Sequence, residues 1–158
     1  MPELPNDTHE AIQRLSADGD ALAEGGRYPE ALKKYWAAWE LLPEPQTDWE
    51  AATWVLGAVG DANFLSGDYE AGRDNLSNAM QCPDAIGSPF LHLRLGQCQF
   101  ELGDQDRAAD ELARAYMGAG HSLFEDEDPK YLMFLKTKLD PPPGGWEDEK
   151  KKPWWKPW

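Results

Sequence analysis

One spelling recurs three times in this chain. Leu15, Gly19, Leu22, Gly26, Tyr28, Ala31, Tyr35, Ala38 and Pro43 set the pattern. Leu56, Gly60, Asn63, Gly67, Tyr69, Gly72, Leu76 and Ala79 repeat it at the same spacings, with Pro83 one position early. His92, Gly96, Gln99, Gly103, Gln105, Ala108, Leu112, Ala115 and Gly120 repeat it again. Such self-similarity points to stacked units, each too small to bury its own apolar face. Small residues recurring at fixed places suit helices that pack closely within each unit. Gly19, Gly60 and Gly96 are expected where the first helix presses on the second, with Ala31, Gly72 and Ala108 opposite, because larger side chains would push the helix axes apart. Gly26, Gly67 and Gly103 fall just past the first helix, where a positive φ ends a helix cheaply. Tyr35, Leu76 and Leu112 are expected to fill the space between repeats.

The pattern resembles the tetratricopeptide repeat, whose signature runs W-x2-L-G-x2-Y, then G-x-Y, then A-x3-F, A and P. The resemblance covers residues 12 to 120 and is best in the first copy. It implies an all-α fold: three irregular hairpins in a short right-handed solenoid, at about 12–45, 53–86 and 89–120. It also implies a scaffold that holds another polypeptide. The copies are not back to back. Gly19 to Gly60 is 41 residues and Gly60 to Gly96 is 36, against a standard period of about 34. The surplus falls in Glu44–Ala52 and Ile86–Ser88, so the array should be compact and irregular.

Local signals place the helix ends. Asp7 with Glu10 and Thr47 with Glu50 read as capping boxes, the second starting a helix near Asp48 that carries Trp49 and Trp54. Pro29 suits the first turn of a helix. Asp68, Ser88 and Asp104 read as further caps. Asp128-Pro129 opens a last amphipathic helix at about 129–139, whose Tyr131, Leu132, Phe134, Leu135 and Leu139 need a surface to cover. Terminal repeats of a solenoid require a cap, and this helix is the candidate. The expected division is a helical domain at 1–140 and a tail at 141–158, begun by Pro141-Pro142-Pro143-Gly144-Gly145.

The net charge is −14 over 158 residues, and it is unevenly spread. Residues 1–140 hold 26 acidic and 11 basic side chains, whereas residues 141–158 hold 3 acidic and 4 basic. An acidic body repels nucleic acid and speeds encounter with basic partners. It also serves plain solubility. The start of the chain carries no basic, apolar leader, and no stretch is long and apolar enough to span a bilayer, so a cytoplasmic protein is expected. Cys82 and Cys98 form no CxxC pair and are expected as reduced core residues. His9, His92 and His121 have no ligand spacing, and His92 takes a packing slot. Glu125–Asp128 lacks the alternating ligands and glycine of a calcium loop and reads as a solvated run. No nucleophile–base order or phosphate loop is present, so neither cofactor, metal nor catalysis is expected.

By the resemblance, the inner groove is lined by Gln13, Ser16, Asp20, Ala23 and Glu24, then Trp54, Gly57, Asp61, Phe64 and Leu65, then Phe90, Leu93, Gln97, Phe100 and Glu101. Aromatics beside charges suit a binding hot spot. The competing reading is that the last helix or the tail covers them. Relatives that clamp an acidic C-terminus need Lys, Arg and Asn in slots that here hold Ser16, Ala17, Asp20, Gly57, Ala58, Asp61, Leu93, Arg94 and Gln97. Only Arg94 is basic, so a basic or mixed ligand is expected. Trp146, Trp154, Trp155 and Trp158 sit among the tail lysines. They could be idle, lie at a membrane interface, or dock on this body or a neighbouring copy with cation–π help, and docking on protein is the favoured reading.

The expected partner is therefore a protein. Size, charge and architecture look like a bacterial immunity protein that neutralises a basic secreted toxin, an analogy of architecture rather than of site. The runner-up is a type III-like secretion chaperone that cradles an extended peptide, and the third reading is an acidic nucleic-acid mimic.

Overall fold

The computed structural model describes residues 3–149. Seven α-helices follow one another, and no strand occurs among the described residues. They are α1 (Asn6–Glu24), α2 (Tyr28–Glu40), α3 (Glu50–Leu65), α4 (Tyr69–Ala79), α5 (Pro89–Glu101), α6 (Gln105–Ala119) and α7 (Pro129–Lys138). α1 and α2, α3 and α4, and α5 and α6 form three hairpins, stacked through α2 on α3 and α4 on α5, with α7 against α6. The all-α expectation of three helical hairpins holds.

The recurring glycines explain the hairpins. A β-carbon added to Gly19 would lie 2.5 Å from Tyr35 Cε1, and one added to Gly96 would lie 2.9 Å from Leu112 Cγ. At Gly60 it would fall inside the Leu76 side chain. Tyr35, Leu76 and Leu112 thus seat in the glycine slots of their own hairpins. Tyr35 also shares a core cluster with Val59 and Ala62, and Leu76 with Leu91 and Leu95, so these two fill space between repeats as well. The deeper reason is reach: a side chain opposite a glycine touches the partner backbone first. Each hairpin turns at the same glycine, Gly26, Gly67 or Gly103, with φ of 76°, 83° and 85°, where a side chain would be strained. Ile12, Val55, Leu76, Leu93, Leu112 and Leu135 are fully buried, each contributing roughly 1.5–3 kcal/mol of apolar burial.

Four caps form where the sequence places them. Asp68 accepts from the Ala71 amide at 3.3 Å, Ser88 from Leu91 at 3.3 Å, Asp104 from Arg107 at 3.4 Å and Asp128 from Lys130 at 2.9 Å. The two capping boxes do not form. α1 begins at Asn6, behind Pro5, with no side-chain cap, because Pro5 already presets the extended entry. At the second site, Gln46–Asp48 is a short 3-10 turn and α3 begins only at Glu50. The linker is held instead by its own side chains: the Gln46 amide donates to the Trp39 carbonyl at 2.9 Å, and the Trp49 indole donates to the Pro43 carbonyl at 2.8 Å. Trp49 therefore precedes α3 rather than riding on it. The second surplus segment likewise becomes a 3-10 turn, Ala85–Gly87.

Candidate functional site: a half-covered groove

α1, α3 and α5 line one face of the stack, and that face is divided in two. Its open part is a cavity of about 360 Å³ lined by residues that include Asp20, Tyr35, Trp54, Gly57, Asp61 and Phe90. Helical spacing puts Trp54, Gly57 and Asp61 on one stripe of α3, and Leu91 of α5 packs close over Gly57, where an added β-carbon would lie 2.9 Å from its Cδ2. Trp54 and Phe90 are each 39% exposed, large apolar faces turned to water beside carboxylates. The Tyr35 hydroxyl donates to Asp20 at 2.7 Å. Burial, the bond to Asp20, and the charges of Asp20, Asp61 and Glu24 all push the Tyr35 phenol above its usual range. Burial is the largest of these causes, and the neighbouring carboxylates add to it. No Lys or Arg is among the lining residues.

The other part is already filled. Arg94 is 8% exposed, and its Nε donates to Asp61 at 2.6 Å. Its Nη1 donates to Gln97 at 2.8 Å and to Glu127. Gln97 donates to Glu127 at 2.7 Å. Burial opposes the Arg94 charge, but the bond to Asp61 and the charges of Asp61 and Glu127 outweigh it and hold the guanidinium firmly protonated. The same guanidinium lies 4.8 Å from the Phe64 ring centre and 5.1 Å from that of Phe90. α7 then lies over the rest. Tyr131 donates to Glu101 at 2.8 Å, and Lys130 pairs with Glu101 at 2.6 Å. The Phe100 ring stacks edge-on with Tyr131 at 5.4 Å and Phe134 at 5.0 Å.

Of the expected groove residues, Asp20, Trp54, Asp61 and Phe90 come together on the open part. Gln13 and Glu24 are exposed on α1 outside the cavity lining. Four are corrected. Gln97 is fully buried, and Phe64, Phe100 and Glu101 are taken up by Arg94, Tyr131 and Lys130, so the reading in which the last helix covers them holds for these four. Glu127 is likewise no solvated charge but the acceptor that ties the loop before α7 to α5. Tyr35 and Glu127 were missed in the sequence as members of this face, and Arg94, noted there as the lone basic slot, was missed as its buried tie. A single arginine amid Leu91, Leu93 and Leu95 was the available signal, since a buried cation needs an acidic partner.

His92 is a packing residue, its Nδ1 against Glu111 and its Nε2 on the Ile86 carbonyl at 2.6 Å. Both cysteines are free and buried, and burial pushes the Cys98 thiol up to about 12. Among the described residues no group of three or more His, Cys, Asp or Glu could hold a metal, and no helix is long and apolar enough to cross a membrane. Trp146 packs on the chain's own body and not on a neighbour. It is 6% exposed, edge-on to Tyr116 at 5.2 Å, with the Lys136 ammonium 5.7 Å from its ring centre. It therefore belongs to the chain's own core. Trp154, Trp155 and Trp158 lie outside the described residues.

No family model and no curated protein matches the sequence. Solved structures do match. The Yersinia enterocolitica type III secretion chaperone SycD, in complex with a peptide of the translocator YopD, superposes with a TM-score of 0.64 at 17% identity, covering 86% of this chain and 95% of that one. PcrH from Pseudomonas aeruginosa gives 0.63 at 20% identity, covering 85% and 94%. The second tetratricopeptide domain of human RPAP3, in complex with the HSP70 peptide SGPTIEEVD, gives 0.63 at 14% identity, covering 84% and 99%. The recurring glycine slots and these superpositions agree: the chain folds as a short array of tetratricopeptide-type helical hairpins.

Proposed function

We propose that the chain is a polypeptide-binding scaffold of the secretion-chaperone kind, holding an extended segment of its partner across Asp20, Trp54, Asp61 and Phe90. The observation that carries this is the open half-groove, where Trp54 and Phe90 are part-exposed beside Asp20 and Asp61, no Lys or Arg is among the lining residues, and the adjoining Arg94 is already paired with Asp61. Exposed aromatics of this kind are the usual anchors of a protein interface. SycD was solved with a peptide of its translocator and RPAP3 with an HSP70 peptide, which favours the chaperone reading over the immunity reading. The HSP70 peptide is acidic, and the groove here presents acids where such a ligand would need cations. The favoured ligand is therefore apolar with basic residues. The immunity reading retains one observation, the acidic body of residues 1–140.

The test is co-expression with the products of neighbouring genes. A secreted, otherwise insoluble partner that stays soluble only with this chain supports the chaperone reading, and Trp54→Ala with Phe90→Ala should release it. Rescue of growth from a toxic neighbour would support the immunity reading. A partner whose binding is indifferent to both substitutions would move the interface to another face.

A further inference from the structure

We propose that residues 150–158 of this same chain occupy the open half-groove when no partner does. This rests on the reading that the half-groove holds an extended polypeptide.

The first argument is complementarity. The segment carries Lys150, Lys151, Lys152 and Lys156 with Trp154, Trp155 and Trp158 in nine residues, and it is the stretch where the chain's charge turns positive. The half-groove offers what such a segment needs: the carboxylates Asp20 and Asp61, each with one oxygen bonded within the chain and the other not, Glu24 one turn on along α1, and the part-exposed rings of Trp54 and Phe90, the latter with Arg94 near its ring. Ammonium groups pair with those carboxylates and sit over aromatic faces, and indoles cover apolar area that is otherwise wet. Pro153 and Pro157 suit an extended ligand rather than another helix.

The second argument is where the described chain ends. Asp148 and Glu149 are held by Lys136 at 2.7 and 3.5 Å. Asp148, Lys136 and Glu127 line one depression, and Glu127 shares Arg94 with Asp61. The chain therefore leaves the described region on the side of α7 from which a single arginine spans to the half-groove. Nine extended residues reach about 30 Å, enough to follow that path. The third argument is that Trp146 already docks on α6 and α7, which shortens the tether. A short tether gives its end an effective concentration on the order of millimolar, so a partner has to displace the segment, and its apparent affinity falls by the fraction of groove left free.

The experiment uses the full chain. Zero-length carboxyl–amine coupling followed by mass spectrometry should link the tail lysines to Asp20, Glu24 or Asp61, within one chain when labelled and unlabelled protein are mixed. A fluorescent nonapeptide with the sequence of residues 150–158 is the second probe. It should bind a full-length chain bearing Trp154→Ser, Trp155→Ser and Trp158→Ser about tenfold more tightly than the unaltered chain, whose groove is occupied. Adding Trp54→Ala should remove that gain. Links to another face, links only between differently labelled chains, or equal affinity for both proteins would overturn the proposal. If the partner needs Trp54 while the nonapeptide binds neither protein, the tail inference falls and the scaffold reading stands. If neither ligand depends on Trp54 or Phe90, both fall.

Discussion

Arg94 donates through Nε to Asp61 across 2.6 Å and so joins α5 to α3. The same guanidinium takes Glu127, from the loop before α7. One buried cation thus decides where the groove stops: Asp61 keeps a face on the open side, while Glu127 brings α7 down over Phe64 and Phe100.

Replacing Arg94 tests that division. Arg94→Met removes the cation and leaves Asp61, Glu127 and Gln97 without their partner. Breaking a buried pair from one side should destabilise the fold by about 3 kcal/mol, read from the urea midpoint at constant slope. Hydrogen exchange in α7 should quicken before exchange in α1. Unaltered α7 protection would mean that the aromatics alone hold the cap.

The glycine slots separate crowding from backbone freedom. Gly60→Ala places a β-carbon inside Leu76, and overpacking of this kind costs roughly 1–3 kcal/mol. Gly87→Ala meets nothing within 4 Å and should stay within about 0.5 kcal/mol of the parent. Thermal melting of the two variants side by side is sufficient.

Trp146→Ala should cost about 3 kcal/mol as a buried aromatic truncation, lowering the melting temperature. This outcome belongs to a core residue. A variant as stable as the parent but deficient in partner binding would return Trp146 to the interface.

The Cys98 thiol, raised from 9.0 to about 12 by burial, makes an alkaline prediction. A raised folded value means the folded chain holds its proton more tightly than the unfolded one. The associated stability is complete below the unfolded value and is lost as pH climbs from about 9 towards 12. Tyr35 and Tyr131, also raised by burial and by their carboxylate partners, act in the same direction at higher pH. Chemical unfolding between pH 8 and 10 should show declining stability, with a flatter slope in Cys98→Ala. At pH 8 a thiol reagent should modify neither Cys82 nor Cys98 until denaturant is added.

Much of the fold was legible because its determinants are local. A glycine seven residues past Gly19, Gly60 or Gly96 closes each hairpin, and in the second and third a cap three residues from its amide starts the next helix. The failures were also local in origin. Thr47 and Glu50 have the spacing of a capping box, but the Gln46 and Trp49 side chains bind the end of α2 and its linker, and that contact outweighs the cap. The candidate site was half legible. Asp20, Trp54, Asp61 and Phe90 could be placed by repeat register, whereas the loss of Phe64, Gln97, Phe100 and Glu101 could not.

The sequence by itself determined that three helical hairpins form, where each turns, and that their inner face mixes aromatics with carboxylates, since small residues and positive-φ turns act over a few positions and repeat with the chain. The tertiary structure alone decided how much of that face stays open. That outcome depends on Arg94 meeting Glu127 and Tyr131 meeting Glu101, partners 33 and 30 positions apart. Pairs so distant leave no periodic trace in a sequence, and they form only when the last helix has a stacked surface on which to bury its apolar side.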